Sequence, residues 1–180
     1  MDSRSGYPDP SLGQEPKPTV VEPDVLRTVM GHFATGVAIV TGSDRGEPVG
    51  MTVQSLVSVS LNPPLLLFCP SSASASWPRI ASGEVFAINI LRSSQRDVCA
   101  SFAKSGGDKF GGVRWRSGAG GAPLLDDALA YAECVLHAVH DAGDHRVVLG
   151  RVLNIASHET AHAATPLVFY RGAFASLVPT

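Results

Sequence analysis

The 180-residue sequence has almost no excess of charge of either sign, because fourteen Lys and Arg face sixteen Asp and Glu for a formal net charge of −2. A nearly neutral chain carries no electrostatic signal for nucleic acid or for an anionic membrane. No apolar run reaches the roughly 18 residues of a membrane-spanning helix, and the N-terminus lacks the basic-then-apolar order of a secretory signal. With 44% apolar residues, we expect a single globular, soluble domain.

Cysteine is scarce and does not form a metal-binding or redox pattern. Cys69, Cys99 and Cys134 are odd in number, widely spaced and each surrounded by apolar residues. No Cys-x-x-Cys pair is present, and His137 and His140 would lie on opposite faces of a strand. We therefore expect small buried thiols, no metal, and a reducing, cytoplasmic location.

Several common catalytic motifs are also missing. The sequence has no Gly-x-Ser-x-Gly elbow, no phosphate-binding loop and no Gly-x-Gly-x-x-Gly after a strand. The paired carboxylates Asp126 and Asp127 fall in a turn without apolar shelter. What remains favours chemistry carried by a bound cofactor, for which the protein supplies position and electrostatics.

The most informative stretch is residues 50–70, GMTVQSLVSVSLNPPLLLFCP. Its segment Val57–Leu61 alternates with period two, which predicts a half-buried strand. Hydroxyl groups rather than charges occupy the second face, so that face is expected to be dry or covered by a ligand. An ordinary exposed face of serine and threonine remains an open alternative.

Residues 1–22 are rich in proline and lack periodicity, which predicts a disordered tail, and residues 23–180 form the domain. An amphipathic helix of about three turns is expected to begin at Asp24 as cap and to end at Thr35-Gly36. Two further helices are predicted at Ser76–Ser82, with Trp77 buried, and at Gln95–Ala103, capped by Ser93 or Ser94.

Strands predominate over helices in the rest of the chain. Residues 104–121 are predicted to be a glycine-rich loop anchored by Phe110 and Trp115. About seven strands joined mostly by hairpins predict a mainly β fold, an antiparallel barrel with helices outside it. The segments that supply these strands are Val37–Thr41, the stretch from Val49 onward with the alternating Val57–Leu61, Leu65–Cys69, Val85–Leu91, Leu129–Asp141, His145–Ser157, and the closing Leu167–Arg171 and Phe174–Val178.

From about Asp24 to Val178 the chain resembles a known family through motifs whose order and spacing match over most of the domain. The motifs are Phe33-Ala34-Thr35-Gly36-Val37, Gly50-Met51-Thr52, Gln54-Ser55, Ser58-Val59-Ser60-Leu61 with Pro63-Pro64, Asp108-Lys109-Phe110, Gly143-Asp144-His145, Pro166-Leu167 and Tyr170-Arg171-Gly172. The family is that of the short-chain flavin reductases, the reductase components of two-component flavin-dependent monooxygenases.

The resemblance implies an FMN-binding split barrel that transfers a hydride from NADH or NADPH to FMN or FAD. It further implies a homodimer that supplies reduced flavin to a separate monooxygenase. Physical chemistry agrees, because hydride transfer needs two stacked rings held about 3–3.5 Å apart and no general acid in the hydride step.

Site roles are likewise implied by the resemblance. His145 would position the nicotinamide, without acting as a general acid or base. The residues expected to bind the cofactor or nucleotide are Gly50, Met51, Thr52, Val53, Gln54, Ser55, Ser58, Cys69, Pro70, Ser71, Ser76, Trp77, Phe102, Ala103, Lys109, His145, Tyr170 and Arg171.

For three of these residues a role unrelated to ligand binding stays open. His145 could be an exposed histidine of a turn, Lys109 a solvated charge of a loop, and Trp77 an aromatic of the core. The sequence departs from the family at Leu56, where many members have an aromatic, and at Phe174, where many have a tyrosine. Either departure bears on the choice between FMN and FAD or between the nucleotides.

Two other functions fit the same barrel. A pyridoxamine-phosphate-oxidase-like FMN enzyme would need a cluster of cations, and only scattered Arg79, Arg92, Arg96 and Lys109 are available. A non-catalytic flavin- or haem-binding module is the third possibility. The sequence leaves open the preferred flavin, the preferred nucleotide, the monooxygenase partner and the aromatic substrate that partner acts on.

Overall fold

The computed structural model describes residues 20–158 and 164–177. Within them, three α-helices accompany twelve strands, so the fold is mainly β as predicted. The helices are α1 (Pro23–Met30), α2 (Ser76–Ala81) and α3 (Arg96–Ala103), the last preceded by a 3₁₀ turn at Ser93–Gln95. The strands are β1 (Thr35–Gly36), β2 (Ala38–Asp44), β3 (Glu47–Val53), β4 (Val57–Leu61), β5 (Pro64–Phe68), β6 (Phe86–Ile90), β7 (Trp115–Ser117), β8 (Pro123–Leu125), β9 (Ala130–Ala142), β10 (His145–Ser157), β11 (Val168–Tyr170) and β12 (Ala173–Ala175).

The main sheet has seven strands in the order β3-β2-β6-β9-β10-β5-β4. Every pairing in it is antiparallel, and two of its hairpins, β2-β3 and β9-β10, join neighbours along the chain. Because β3 and β4 are free edges, the sheet curves without closing, which is the architecture of a split barrel. The predicted fold class is therefore confirmed.

Two layers of apolar side chains flank the sheet and fix α2 and α3 against it. One contains a triad of edge-to-face rings, Phe68, Trp77 and Phe86, with centroids 5.3–6.1 Å apart. The other places Cys99 and Phe102 of α3 in the core, as the helical spacing predicts. Edge-to-face packing adds to the burial energy of such rings, so α2 and α3 are held firmly beside the sheet.

The first helix starts and ends differently from the prediction. Glu22 is the N-cap, because Pro23 at the first helical position sets the start of the helix, and no side chain caps it. Asp24 lies in the first turn and accepts a 2.8 Å hydrogen bond from Arg27. The helix ends at Gly31, well before the predicted Thr35-Gly36, which instead forms β1.

Three other predictions need correction. The helix α3 is preceded by the 3₁₀ turn, and neither Ser93 nor Ser94 caps it with a side chain. The predicted loop 104–121 contains β7, which pairs with β8. Strand β4 is an exposed edge strand rather than a half-buried one, with Val57 51% and Val59 48% exposed. The reason is that β4 is the last strand of the sheet and pairs with β5 on one side only.

Some predictions fall outside the described residues or stay untested. Most of the predicted tail and Val178 are not described. The domain boundary at residue 22 therefore remains a prediction. Among residues 20–158 and 164–177, no helix combines the length and apolar character needed to cross a bilayer.

Candidate functional site

A cavity of about 600 Å³ opens where the end of β3, the loop after β5, the end of α3 and the tip of the β9-β10 hairpin meet. Its volume falls within the range of about 300–1,000 Å³ that is usual for small-ligand sites. We call it the central cavity. It is lined by Met51, Thr52, Val53, Gln54, Ser55, Cys69, Pro70, Ser71, Ala73, Ser74, Ala75, Ser76, Phe102, Ala103, Lys104, Ser105, Lys109 and His145.

The first wall of the central cavity is the end of β3, which two side-chain hydrogen bonds fix in place. Thr52 Oγ1 donates to the carbonyl of Cys99 at 2.9 Å and so ties β3 to α3. The backbone N–H of Cys69 donates to Ser55 Oγ at 2.7 Å and so ties the chain after β3 to the end of β5. These hydroxyls therefore shape the wall through bonds within the protein.

Gly50 allows this wall to lie close to α3. A Cβ at position 50 would stand 2.5 Å from a ring carbon of Phe102, closer than packed carbons approach. The missing side chain therefore lets the Phe102 ring pack directly on the backbone of β3.

Lys109 closes the far side of the cavity. Its ammonium donates to the Gly50 carbonyl, to Ser76 Oγ and to the Phe102 carbonyl, each at 3.2 Å. None of the ion pairs among the described residues includes Lys109, and burial lowers the pKa of its ammonium. It is thus a cation without a carboxylate partner, positioned to meet an anion.

The hairpin tip brings His145 to the cavity. Gly143 adopts a φ of +64°, which the tight turn requires. The tip is fastened to the loop after β5, since the N–H of Ser72 donates to the Asp144 carbonyl and that of Arg146 to the Pro70 carbonyl, both at 2.9 Å. Residues 72 and 76 apart in sequence are therefore joined in one wall.

The imidazole of His145 is oriented by its neighbour in sequence. Nδ1 lies 2.7 Å from Asp144 Oδ1, and this hydrogen bond, with the charge attraction to His145, lowers the pKa of the Asp144 carboxyl. Nδ1 is thereby occupied, which leaves Nε2 for a ligand. The His145 side chain is 47% exposed, as expected for a residue at the cavity mouth.

The structure brings thirteen of the predicted site residues together around the central cavity. They are Met51, Thr52, Val53, Gln54, Ser55, Cys69, Pro70, Ser71, Ser76, Phe102, Ala103, Lys109 and His145. Five lining residues were missed, namely Ala73, Ser74, Ala75, Lys104 and Ser105. The run of small residues after Pro70 was the available signal for the first three.

The remaining five predicted residues lie elsewhere. Trp77 is 3% exposed in the core, where its indole packs against Phe68. Ser58 lies on the edge strand β4. Gly50 does not line the central cavity, but its carbonyl accepts a hydrogen bond from the ammonium of Lys109, which does line it.

Tyr170 and Arg171 lie at the end of β11, beside a second cavity of about 500 Å³ that Arg171 lines. Gln54 and Ser55 line both this cavity and the central one, so the two are neighbours. Arg27 and Phe33 also line it. This second cavity is an additional space next to the central one, with cations at its rim.

The lining of the central cavity fits a flavin. Thr52, Ser71 and Ser76 are short and uncharged, which permits close approach of a planar ring, and none of the described residues that line the cavity is a carboxylate. Lys109 supplies the single inner cation that a ribityl phosphate requires. Of the four cations that a pyridoxamine-phosphate-oxidase-like site would use, only Lys109 lies here.

No three metal-binding side chains come together in the described part of the chain. An open antiparallel sheet with a cavity of small residues at its edge, lined also by Lys109 and His145, is the arrangement of the class of flavin-binding split-barrel proteins. Comparison with known proteins then identifies the family within this class.

Residues 30–178 match the model of the flavin reductase like domain. The chain is 42% identical over 159 residues to the reductase subunit HsaB of a flavin-dependent monooxygenase from Rhodococcus jostii, covering 88% of this chain and 80% of the relative. The protein belongs to the flavin reductase family, and it is an NAD(P)H-dependent flavin reductase.

Solved structures agree with this assignment. A homologue of nitrilotriacetate monooxygenase component B from Mycobacterium thermoresistibile superposes with a TM-score of 0.84 at 42% identity, over 87% of each chain. The NADH:FAD oxidoreductase SgcE6 of Streptomyces globisporus, solved with NAD and FAD fragments, superposes with a TM-score of 0.81 at 36% identity, over 90% of this chain and 98% of that one.

Proposed function

We propose that the central cavity holds the isoalloxazine ring of FMN or FAD, and that the protein supplies the reduced flavin to a separate monooxygenase. The observation that carries this proposal is the composition of the cavity, which joins an uncharged small-residue wall to an unpaired lysine and an oriented histidine. A flavin bound there supplies the acceptor for a hydride from the nicotinamide.

The chain positions the ring mainly through its backbone. Gln54 and Ser55 follow Val53, which forms the last ladder pair of β3, with Ala38. Their backbone groups therefore lie outside the ladder, where they can meet the polar edge of the ring. Donors fixed in this way stabilise the negative charge of a reduced ring without having to reorganise.

His145 and Arg171 serve the nucleotide in this proposal. With Nδ1 held by Asp144, the Nε2 side of His145 is available to the carboxamide or phosphate of the nucleotide. Arg171 lines the second cavity on the other side of Gln54 and Ser55, where it and Tyr170 would hold the rest of the nucleotide. The two rings would then meet over the end of β3.

The test is the oxidation of NADH and NADPH by purified protein with FMN or FAD, followed at the nicotinamide absorbance band. We expect flavin-dependent turnover that falls by about tenfold or more in His145→Ala, which corresponds to roughly 1.4 kcal/mol. His140→Ala, an exposed histidine on β9, is the matched control and should be unchanged. Absence of turnover with every flavin and nucleotide pair would refute the proposal.

Delivery to the partner is tested with a flavin-dependent monooxygenase purified separately. Reduced flavin produced by this protein should support product formation across a dialysis membrane or with the two proteins mixed. A requirement for the partner during NADH oxidation itself would contradict the transfer of a free, diffusing flavin.

A homodimer is the second part of the proposal. None of the residues of α1 is buried, and its apolar face is open to solvent, with Val25, Leu26, Val29 and Met30 between 55% and 60% exposed. A two-fold partner would cover this face. Light scattering should give twice the chain mass, and a stable monomer with full turnover would contradict the dimer.

We also propose a cytoplasmic location. It is supported by the three free cysteines of the described chain, Cys69, Cys99 and Cys134, which suit a reducing compartment. Fractionation of cells that express the protein tests this, and recovery from a secreted fraction would contradict it.

A further inference from the structure

A third cavity, of about 400 Å³, adjoins the central cavity across a shared wall. Ala75, Ser76 and Lys109 line both cavities, so a ligand in one reaches the other by passing over these residues. We call the third cavity the adjoining cavity. Its own lining includes Glu47 and Arg79, and nothing in the flavin reductase activity requires it when the flavin is FMN.

Two cations, Lys109 and Arg79, and two carboxylates, Glu47 and Asp108, line the adjoining cavity. Asp108 Oδ1 accepts from the backbone N–H groups of Phe110 and Gly111. Lys109 stands at the boundary with its uncompensated ammonium. Arg79 lines only the adjoining cavity, and it donates to Asp44 through Nε, at 2.7 Å, which leaves its two terminal nitrogens as donors. Two cations at this position suit a pyrophosphate, whose charge is carried on both phosphates.

The lining of the adjoining cavity also offers an acceptor, Glu47, which does not line the central cavity. In the part of the chain that the structure describes, the Glu47 carboxylate has no hydrogen-bond or ion-pair partner, and Glu47 is exposed. A carboxylate in this position can accept hydrogen bonds from the hydroxyl groups of a ribose, as acidic residues do in nucleotide sites. Phe110, half-buried beside Phe102, adds apolar surface suited to a base.

We propose that the adjoining cavity is a subsite for an adenosine phosphate, and that it takes the adenylate half of FAD, so that FAD is preferred to FMN. This rests on the proposed function, in which the isoalloxazine ring occupies the central cavity. The pyrophosphate of FAD passes over Ser76 between Lys109 and Arg79, and the ribose reaches Glu47. FMN ends at the boundary and leaves the adjoining cavity without a ligand.

NADH carries the same adenylate group, and the experiment separates the two sources. Turnover is measured at saturating NADH while FMN or FAD is varied, and then at saturating flavin while NADH is varied. The variants are Arg79→Ala, which removes the second cation, and Asp44→Asn, which breaks the same ion pair but keeps the guanidinium. The second variant controls for any loss of stability caused by breaking the ion pair.

We expect the wild-type KM for FAD to be at least about tenfold below that for FMN, the factor that corresponds to one good charged contact. Arg79→Ala should raise the KM for FAD by about two- to fivefold, in line with a partly exposed ion pair, and leave that for FMN unchanged. Asp44→Asn should leave both unchanged. Glu47→Gln should raise the KM for FAD alone.

Three outcomes would overturn the inference. Equal KM values for FAD and FMN in the wild type would mean that the adenylate makes no contact. A rise in the KM for NADH in Arg79→Ala, identical with either flavin, would assign the cavity to the nucleotide instead. Equal effects of Arg79→Ala and Asp44→Asn on FAD would reduce Arg79 to a structural role. These outcomes are distinct from a failure of the proposed function, because in each of them the protein still oxidises the nucleotide with FMN or FAD.

Discussion

Lys109 gives the sharpest test of the central cavity, because FMN and riboflavin differ only by the phosphate that the lysine is proposed to meet. The substitution Lys109→Met keeps most of the length and apolar stem of the side chain and removes its charge and its three donors. We expect it to weaken FMN binding and to leave riboflavin binding within about twofold of the wild type, since riboflavin has no charged group for the ammonium.

The magnitude follows from the bonds that Lys109 already makes. Hydrogen bonds to charged groups contribute about 1.5–3 kcal/mol. The ammonium must give up part of its contacts with Gly50, Ser76 and Phe102 to meet a phosphate, so the lower end of that range applies. About 1.5 kcal/mol corresponds to a rise of roughly tenfold in the Kd for FMN.

Stability should change little in the same variant. The three bonds are 3.2 Å long, at the weak end for N–H···O geometry, and the burial that lowers the lysine pKa opposes them. Loss of about 1 kcal/mol is expected, which shifts Tm by a few degrees for a domain of this size. A collapse of the fold would therefore contradict the geometry.

The pH dependence adds an independent readout. Burial lowers the pKa of Lys109 from its usual 10.5, so the ammonium loses its proton earlier as the pH rises. Wild-type affinity for FMN should therefore begin to fall below pH 10.5, whereas that of Lys109→Met should stay flat over the same interval. The sign follows because only the protonated lysine attracts the phosphate.

Quenching of flavin fluorescence measures both ligands under one set of conditions. Lys104→Met is the matched control, since Lys104 lines the same cavity but is exposed, and an exposed charge contributes little. Equal weakening of FMN and riboflavin would show that Lys109 only supports the wall. Unchanged binding of both would show that the phosphate lies elsewhere.

Three further predictions test other parts of the structure. Glu133→Ala should lower the free energy of unfolding by about 2–4 kcal/mol, measured by urea titration, because the 1%-exposed carboxylate accepts from the N–H of Gly120 at 2.8 Å and that donor would lose its partner. Iodoacetamide should label Cys69, with protection by FMN, but not Cys134 before unfolding, because burial raises the pKa of the Cys134 thiol to about 12; mass spectrometry that finds Cys134 labelled first would contradict this. In His145→Ala the Asp144 carboxyl should titrate at a higher pH than in the wild type, since the hydrogen bond that lowers its pKa is lost; carbon NMR of the carboxyl measures it, and no shift would refute the pairing.

Most strands of the main sheet could be located from the sequence, because the hydrophobic periodicity that marks a strand is a local pattern. Strands such as β6, β9 and β10 lie where alternation and apolar runs place them, and Gly143 marks their hairpin. The short strands β7 and β8 were not predicted, since three residues are too few to show a hydrophobic period. Helix ends were also misplaced, because Pro23 overrode the capping preference of Asp24.

The cavity was harder to foresee because long-range contacts build it. The alternation at Val57–Leu61 predicted a hydroxyl-bearing face that is dry or covered by a ligand, yet the hydroxyls at the cavity come from β3 and from the loop after β5. The bond between Lys109 and Gly50 spans 59 residues, which no local pattern encodes. The family motifs, rather than periodicity, pointed to Ser55, Lys109 and His145.

The internal bonding of the cavity also bears on how tightly the flavin is held. Thr52 Oγ1 donates to the Cys99 carbonyl, Ser55 Oγ accepts from the Cys69 N–H, and the ammonium of Lys109 donates to three protein oxygens. A hydrogen bond that Thr52 or Lys109 donates to a flavin must replace one already present, so the net gain from such a contact is small.

We therefore expect the flavin to behave as a substrate that exchanges, with a Kd of about 1 μM or weaker, equivalent to roughly −8 kcal/mol. Such affinity suits a reductase that must release its product for a monooxygenase to use. Protein purified without added flavin should accordingly leave gel filtration largely colourless at 450 nm, and it should regain turnover when FMN or FAD is supplied. Recovery of one flavin per chain after extensive dilution would contradict this, because retention at that stoichiometry requires a Kd far below about 1 μM.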